Sequence, residues 1–541
     1  MAYFVALVSA WLLFSAVTAL RPSRRGILAA LAYPVGWAAG ELPAQSLVVV
    51  VALWGLLEWW VWPLTQWLGA LVAVLLALVT VSDVALVVIS FDARRRVPRA
   101  LATSDRRLES PRARDDHFGS WWRTALQFSY HPRHMQLIRD VAYGPAARHR
   151  LDVWRTSTTP QGAPVIFYVH GGAWTFGDKR DQGRPMLHEF VERGWVAVSC
   201  NYRLAPGHPW PAQIEDVTRT LGWIKRYISN YGGDPDRVVV AGGSAGGHLA
   251  ALLALSADDP TWRPSDVTGV SDWSVRGAIP YYGVLEMTGD ETFWRGLGRG
   301  LRGLLESRVV QLPYANNEAI YHALSPLHRL HLHAPPFLVV QGGNDTLVDV
   351  HVARGFVEAF RRRATAAIYY VELPFAQHAF DVSASPRTSA TTRAAVAFAT
   401  SVTEPRPVLD AALVARYLLD SDALLIEVSS GQWVRALDAV ATLGPFSVVT
   451  ADNPYSQLRS DEQNDERRQD LLGVLGRHGV RVRSSVARAS GEWPDEVGFA
   501  LVDQSAEFAR SLARSFDQFA YFEVTSEALL VRASYDGALL G

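Results

Sequence analysis

One cysteine stands in 541 residues, so no disulfide can form within the chain. That residue, Cys200, closes the apolar run Trp195-Val196-Ala197-Val198-Ser199 and reads as a buried core thiol. Its isolation fits a reducing compartment or a bacterial protein indifferent to redox state. Neither sign of charge is in excess: 52 Lys and Arg meet 53 Asp and Glu, which removes the electrostatic case for nucleic acid or an acidic polymer as partner. Metal-ligand spacing is lacking too. His322, His328, His331 and His333 fall in one segment but match no ligand motif, and they read as a solvated face.

Charge is absent altogether from Met1 to Leu20, a stretch long enough to cross a bilayer, which stops at Arg21-Pro22-Ser23-Arg24-Arg25. A secretory signal carries its positive charge ahead of the apolar core and ends in a small-residue cleavage site. Here the order is reversed, so a retained anchor is expected. Ser46 to Trp62 and Leu64 to Phe91 are two more apolar stretches, with Trp59, Trp60, Trp62 and Trp67 around Pro63 as an aromatic belt, and Arg94-Arg95-Arg96 and Arg99 follow them. The two arginine clusters belong on one side, so an even number of crossings separates them. Gly26 to Gly40, short and interrupted by Pro34 and Gly36, is then interfacial or re-entrant. Residues 1–93 are expected to be a transmembrane region of about three crossings in a bacterial cell membrane, contacting membrane lipid, with the remainder on the cytoplasmic face. If residues 26–40 cross as well, the remainder sits outside.

Residues 94–117 mix arginine, acids and proline with no apolar period, the composition of a basic juxtamembrane linker resting on anionic headgroups. Trp121, Trp122, Phe128 and Tyr130, within 118–137, suit either a cap over a site or packing against a core.

Beyond this point the pattern changes. Pro164 to Val169, Trp195 to Asn201, Arg237 to Ala241, Arg276 to Tyr282, Pro336 to Gly342 and Ala367 to Leu373 read as strands alternating with helices, after an opening hairpin at 139–154. That alternation predicts a mostly parallel sheet flanked by helices. The strand at Arg237 ends abruptly in Gly242-Gly243-Ser244-Ala245-Gly246, followed by an apolar helix. A serine on so sharp a turn has its Oγ exposed, and the next N–H, that of Ala245, points where the oxygen attacks. His170-Gly171-Gly172, after another strand, can bring further N–H groups to the same place for a tetrahedral oxyanion. Asp345 and His378 each follow a later strand, so the order is Ser, Asp, His. Asp349 is the competing acid, and Asp216 is expected to order local structure.

These runs, with Asn201-Tyr202-Arg203-Leu204-Ala205-Pro206, Tyr231-Gly232-Gly233-Asp234-Pro235, Ser325-Pro326-Leu327 and His378-Ala379-Phe380, resemble the hormone-sensitive-lipase-like, carboxylesterase branch of the α/β-hydrolases over about residues 138–403. The resemblance implies an α/β-hydrolase fold for a catalytic domain at 118–403, with cap segments near 118–137 and 284–334. It implies Ser244 as nucleophile, Asp345 as acid, His378 as base, and the N–H groups of Gly171, Gly172 and Ala245 as oxyanion hole. Trp174 and Tyr202, inside its motifs, are expected to bind substrate. Gly243 departs from the acidic residue this branch often carries before the serine, which does not touch the mechanism. The expected activity is hydrolysis of a small-molecule or lipid ester with no cofactor and no metal. The same residues could transfer the acyl group to an alcohol or remove acetyl or formyl groups. A catalytically silent, membrane-tethered interaction protein is the alternative of a different class.

After Pro407 strands and helices resume without a nucleophile signal. Ala423 to Val428, Phe446 to Thr450, Val480 to Val486 and Phe499 to Val502 read as strands, Asp410 to Leu419 and Ser505 to Phe516 as helices, and Ser460-Asp461-Glu462-Gln463 as a capping box opening a helix to His478. Residues 408–535 are expected to form a small α/β domain. Thr450-Ala451-Asp452-Asn453-Pro454, with Glu462, Asn464 and Arg467, resembles a bacterial domain family of unknown function marked by a Thr-Ala-Trp-Asn-Pro run. Its role, including any protein partner, stays open.

Overall fold

The computed structural model describes residues 2–23, 26–56, 66–102, 108, 134–256, 259–295, 297–404, 424–488, 494–535 and 538–540. Two compact units divide the chain. The first takes Met1–Arg329, Pro335–Val357 and Tyr369–Thr403; the second takes Leu330–Ala334, Glu358–Ile368 and Glu404–Gly541.

The first unit opens with α1 (Ala2–Leu20), α2 (Gly26–Glu41), α3 (Pro43–Leu56) and α4 (Gln66–Ala102). Helices α1 and α4 are long and apolar enough to cross a membrane, and α2 with α3 forms a pair bent by 81°. The outward surface is apolar: Phe4, Leu7, Trp11, Val48, Val51, Val74, Val81 and Val88 are exposed. A bundle in water turns such residues inward, so this surface suits a hydrocarbon solvent. Inside, Val5, Val50, Leu53, Leu68, Val72, Leu76 and Val79 pack together. Small residues bring α2 close to α1: a Cβ on Gly36 would lie 3.3 Å from Thr18 O, beside Ala16, Ala19 and Ala39. The hydroxyls of Ser9, Thr18 and Thr80 donate to carbonyls four residues back, so no buried hydroxyl among these three goes unpaired. Arg94–Ala102, expected in a linker, instead continues α4, because nothing before Ala102 breaks the helix except Pro98. Most of the expected cap segment at 118–137 lies outside the described residues, as do Trp59, Trp60, Trp62 and Pro63, while Trp67 at the start of α4 is exposed.

The second module of this unit is an eight-stranded sheet in the order β1-β2-β4-β3-β5-β6-β7-β8. Its strands are β1 (Met135–Ala142), β2 (Arg150–Thr156), β3 (Ala163–Val169), β4 (Val196–Cys200), β5 (Gly233–Gly243), β6 (Gly277–Tyr281), β7 (Phe337–Gly342) and β8 (Ile368–Leu373). The opening hairpin is antiparallel, β2 joins β4 antiparallel, and β4, β3, β5, β6 and β7 run parallel. Helices α5 (Arg184–Glu192), α6 (Ala212–Tyr227), α7 (Ala245–Leu255), α8 (Val350–Arg363) and α9 (Pro386–Thr403) alternate with these strands. Strands covered on both faces read as continuous apolar runs, which is why Val165-Ile166-Phe167-Tyr168-Val169 and Val238-Val239-Val240-Ala241 are buried end to end. Between β6 and β7 the chain leaves the sheet in short helices at Glu291–Trp294, Gly298–Leu304 and Glu318–Ala323.

The second unit holds a seven-stranded sheet of β9 (Leu424–Ser429), β10 (Gln432–Arg435), β11 (Phe446–Thr450), β12 (Arg481–Ala487), β13 (Glu496–Val502), β14 (Ala520–Val524) and β15 (Leu529–Ala533), in the order β10-β9-β12-β13-β11-β14-β15. Its helices are α10 (Ala436–Leu443), α11 (Asp461–Arg477) and α12 (Ala506–Ser515). All its strand pairs are antiparallel. The links β9–β10 and β14–β15 are too short for a parallel crossover, which forces hairpins. Leu471, Leu475, Phe508, Leu512 and Phe516 of α11 and α12 pack with Val449, Phe499 and Leu501. The capping box forms: Ser460 Oγ accepts from Gln463 N, and the Gln463 side chain accepts from Ser460 N. The expected helix at 410–419 lies outside the described residues.

Candidate active site

Four loops at strand ends carry the candidate site residues. Ser244 follows β5 at φ 56° and ψ −122° and leads into α7, a backbone conformation few side chains tolerate. The flanking glycines are obligatory: a Cβ on Gly242 would lie 2.4 Å from Gly246 O, and one on Gly246 would lie 2.0 Å from Val169 O. Ser244 N donates to Tyr281 O at 3.0 Å, tying the turn to β6, and the serine hydroxyl is not spent on capping the helix. Ala245 opens α7, so its N–H has no acceptor within the helix.

The loop after β3 abuts this turn. A Cβ on Gly171 would come 3.1 Å from Ser244 Cβ. Gly172 takes φ 119°, and a side chain there would strike Phe176 O at 2.1 Å, so only glycine fits. Of the expected oxyanion donors, Gly171 needs correction: its N–H donates to Gln182 Oε1 at 2.9 Å and is engaged. The strained sequence continues through Ala173 at φ 48° and Trp174 at φ 59°.

Trp174 and Tyr202, expected to meet substrate, are instead buried inside the module. Trp174 Nε1 donates to His248 Nδ1 at 3.1 Å, and His248 Nε2 donates to Leu324 O at 2.7 Å. Tyr202 stacks on His170 with ring centroids 4.3 Å apart and donates its hydroxyl to His170 O at 3.0 Å. Both rings brace the loop at 170–174 from behind. Burial lowers His170 and His248 to about 4, so both are neutral at pH 7.

Asp345 lies beyond β7 and His378 beyond β8, and the structure brings them together: His378 Nδ1 is 2.7 Å from Asp345 Oδ2. Gln341 Nε2 donates to the same oxygen at 3.1 Å. Asp349 is turned away from this pair and holds His351 Nδ1 at 2.6 Å. Asp216 is buried against Arg203 and His149, the ordering role expected of it. Tyr282 connects the base to the nucleophile turn. Its ring centroid lies 4.6 Å from that of His378, and its hydroxyl would be 2.7 Å from a Cβ on Gly243. That hydroxyl donates to Asp381 Oδ1, a carboxyl that burial raises to about 6. Tyr282 and Asp381 carried no signal in the sequence, because a tyrosine and an aspartate beside motifs look like any others. No hydrogen bond joins Ser244 Oγ to the His378 ring among the described residues. A serine hydroxyl rotates freely, and such bonds tighten when substrate binds. His322 and His328 are exposed, with rings 4.2 Å apart.

A strained serine at a strand-to-helix turn, glycine-lined N–H groups beside it and a fixed Asp-His pair beyond two later strands define the α/β-hydrolase class. Comparison with known proteins agrees. The family model BD-FAE matches residues 151–360, and that of a protein of unknown function (DUF3293) matches residues 449–520. In Mycobacterium tuberculosis, esterase LipQ is 42% identical over 260 residues, which is 48% of this chain and 60% of LipQ. The probable carboxylic ester hydrolase LipM is 42% identical over 270 residues, 49% of this chain and 61% of LipM. Esterase LipC is 38% identical over 277 residues, 51% of this chain and 68% of LipC. The chain belongs to the α/β-hydrolase esterase family. It spans about three fifths of the length of LipQ and LipM.

Proposed function

We propose that the chain is a membrane-anchored serine hydrolase that cleaves carboxylic esters. The observation that carries this reading is the 2.7 Å contact of His378 Nδ1 with Asp345 Oδ2, made beside the strained turn that presents Ser244. With Nδ1–H held by the carboxylate, Nε2 is the free, basic nitrogen. It accepts the Ser244 proton as Oγ attacks the ester carbonyl, and Asp345 stabilises the imidazolium that forms. The N–H groups of Gly172 and Ala245 receive the oxyanion. The imidazolium then protonates the leaving alcohol. Water repeats the attack on the acyl-serine through the same base and releases the acid.

The membrane reading is three crossings, by α1, α3 and α4, with α2 at the interface. Supporting it, Asn344 Nδ2 beside the catalytic acid donates to Ala19 O and Leu20 O at the end of α1, while Arg387 donates to Gly40 O at the end of α2. Ile89, Ala93 and Arg96 of α4 line a small cavity with Arg387. The ends of three helices thus share the face that carries the catalytic module, and the arginines at 21–25 and 94–99 favour the cytoplasmic side for it.

The test is hydrolysis of p-nitrophenyl esters from acetyl to palmitoyl by the detergent-solubilised chain beside Ser244→Ala. Activity lost in the variant supports the reading. A folded wild type no more active than Ser244→Ala on every chain length overturns it.

A further inference from the structure

The loops bearing the catalytic acid and base are each fastened to the N-terminal helices of the same unit. Asn344, next to Asp345, donates to Ala19 O at 2.8 Å and Leu20 O at 3.2 Å, satisfying carbonyls that the end of α1 leaves open. Trp37 Nε1 of α2 donates at 2.9 Å to Ala379 O, the residue after His378. Arg387 donates to Gly40 O at 2.8 Å and pairs with Glu41, both charges being buried. A buried ion pair that loses one partner leaves an uncompensated charge, so pulling this joint apart is costly. Helix α4 also packs along α9, which begins at Pro386.

Tyr33 lies one helical turn before Trp37, on the same face of α2. Its ring meets the His378 ring edge-on, centroids 5.9 Å apart at 78°. Leu31, two residues earlier and on the opposite face of the helix, is exposed, part of the apolar surface of the helical bundle. One helix therefore presents an apolar side chain to the surface of the bundle on one face and an aromatic ring to His378 on the other. A short water-soluble ester gains little from such a placement. An ester carrying a long hydrocarbon chain, dissolved in the bilayer, would find the Tyr33 ring beside His378 to pack its chain against.

We propose that α2 is a wall of the ester site and that Tyr33 is a specificity-determining residue, holding the hydrocarbon portion of a membrane-dissolved ester beside His378. The proposal rests on the serine-esterase reading above. It assigns the substrate class as long-chain esters drawn from the lipid phase, and it makes the N-terminal helices part of the site as well as an anchor.

The experiment uses the full chain in phosphatidylcholine nanodiscs, with p-nitrophenyl acetate and p-nitrophenyl decanoate as substrates, for wild type, Tyr33→Ala and Tyr33→Phe. Tyr33→Ala is expected to lower kcat/KM at least tenfold for decanoate, mainly through KM, and less than threefold for acetate. Tyr33→Phe, which keeps the ring, should stay within twofold of wild type on both. Equal losses on the two substrates, or no loss on decanoate, overturn the proposal. Labelling of Ser244 by a fluorophosphonate separates the two failures. A wild type that labels while the substrate ratio stays flat overturns this proposal alone, whereas one that neither labels nor turns over overturns the esterase reading with it.

Discussion

Asp345 offers both its oxygens to fixed partners: Oδ2 lies 2.7 Å from His378 Nδ1, while Oδ1 accepts the N–H groups of Leu347 at 2.9 Å and Val348 at 2.8 Å. The carboxylate cannot rotate without breaking its own turn. Asp345→Asn keeps this shape but presents an N–H where the imidazole needs an acceptor, which turns the ring to the wrong tautomer. Steady-state kinetics should show kcat falling by about 10⁴-fold with little change in melting temperature.

The glycines around Ser244 leave no room for a methyl group. Gly246→Ala would place Cβ 2.0 Å from Val169 O and 2.6 Å from His170 O, both backbone atoms. A loss of more than about 4 kcal/mol is expected, seen as failure to purify a folded monodisperse sample. Gly473 in α11 is the contrast, since the nearest atom to its Cβ is Arg477 Nη1 at 3.6 Å. Gly473→Ala should stabilise by about 0.5–1 kcal/mol, read from denaturant midpoints.

Trp174 separates a substrate contact from a brace. It is buried, and its indole N–H is spent on His248. Trp174→Phe should lower stability by about 1–3 kcal/mol through the hydrogen bond lost and the space left, while KM for short esters holds within twofold. A KM rise without loss of melting temperature would restore the substrate role.

Asp381 gives a pH signature. Burial raises its carboxyl to about 6, with the Tyr282 hydroxyl opposing that rise. An unfolded aspartate titrates near ~4. Below that pH both states are protonated and the residue imposes no penalty. Between about 4 and 6 the unfolded chain releases its proton first, so stability falls as pH rises, and above 6 the penalty is constant, on the order of 3 kcal/mol. Asp381→Asn retains an acceptor for Tyr282. Its melting temperature should exceed that of wild type at pH 7.5 and match it at pH 4; a gain of equal size at both would show that the effect is not titration.

What could be read from residues in order was local. A β-branched run ending in Gly-x-Ser-x-Gly specifies its own strand, turn and helix, because each contact it needs lies within a few residues. The same holds for the capping box at Ser460 and for the buried strands ending before Asp345 and His378. Chain order alone then named Ser244, Asp345 and His378 as the residues to bring together. The tertiary structure decided matters that depend on distant partners. Gly171 N–H is taken by a glutamine eleven residues on, Trp174 is drawn under the loop by a histidine 74 residues on, and Arg387 meets Glu41 across 346 residues. No local pattern encodes such pairs, since an apolar ring or a charge has the same sequence signature whether it lines a site, braces a loop or locks two modules. The docking of α2 on His378 was settled in the same way, by which surfaces could be buried together.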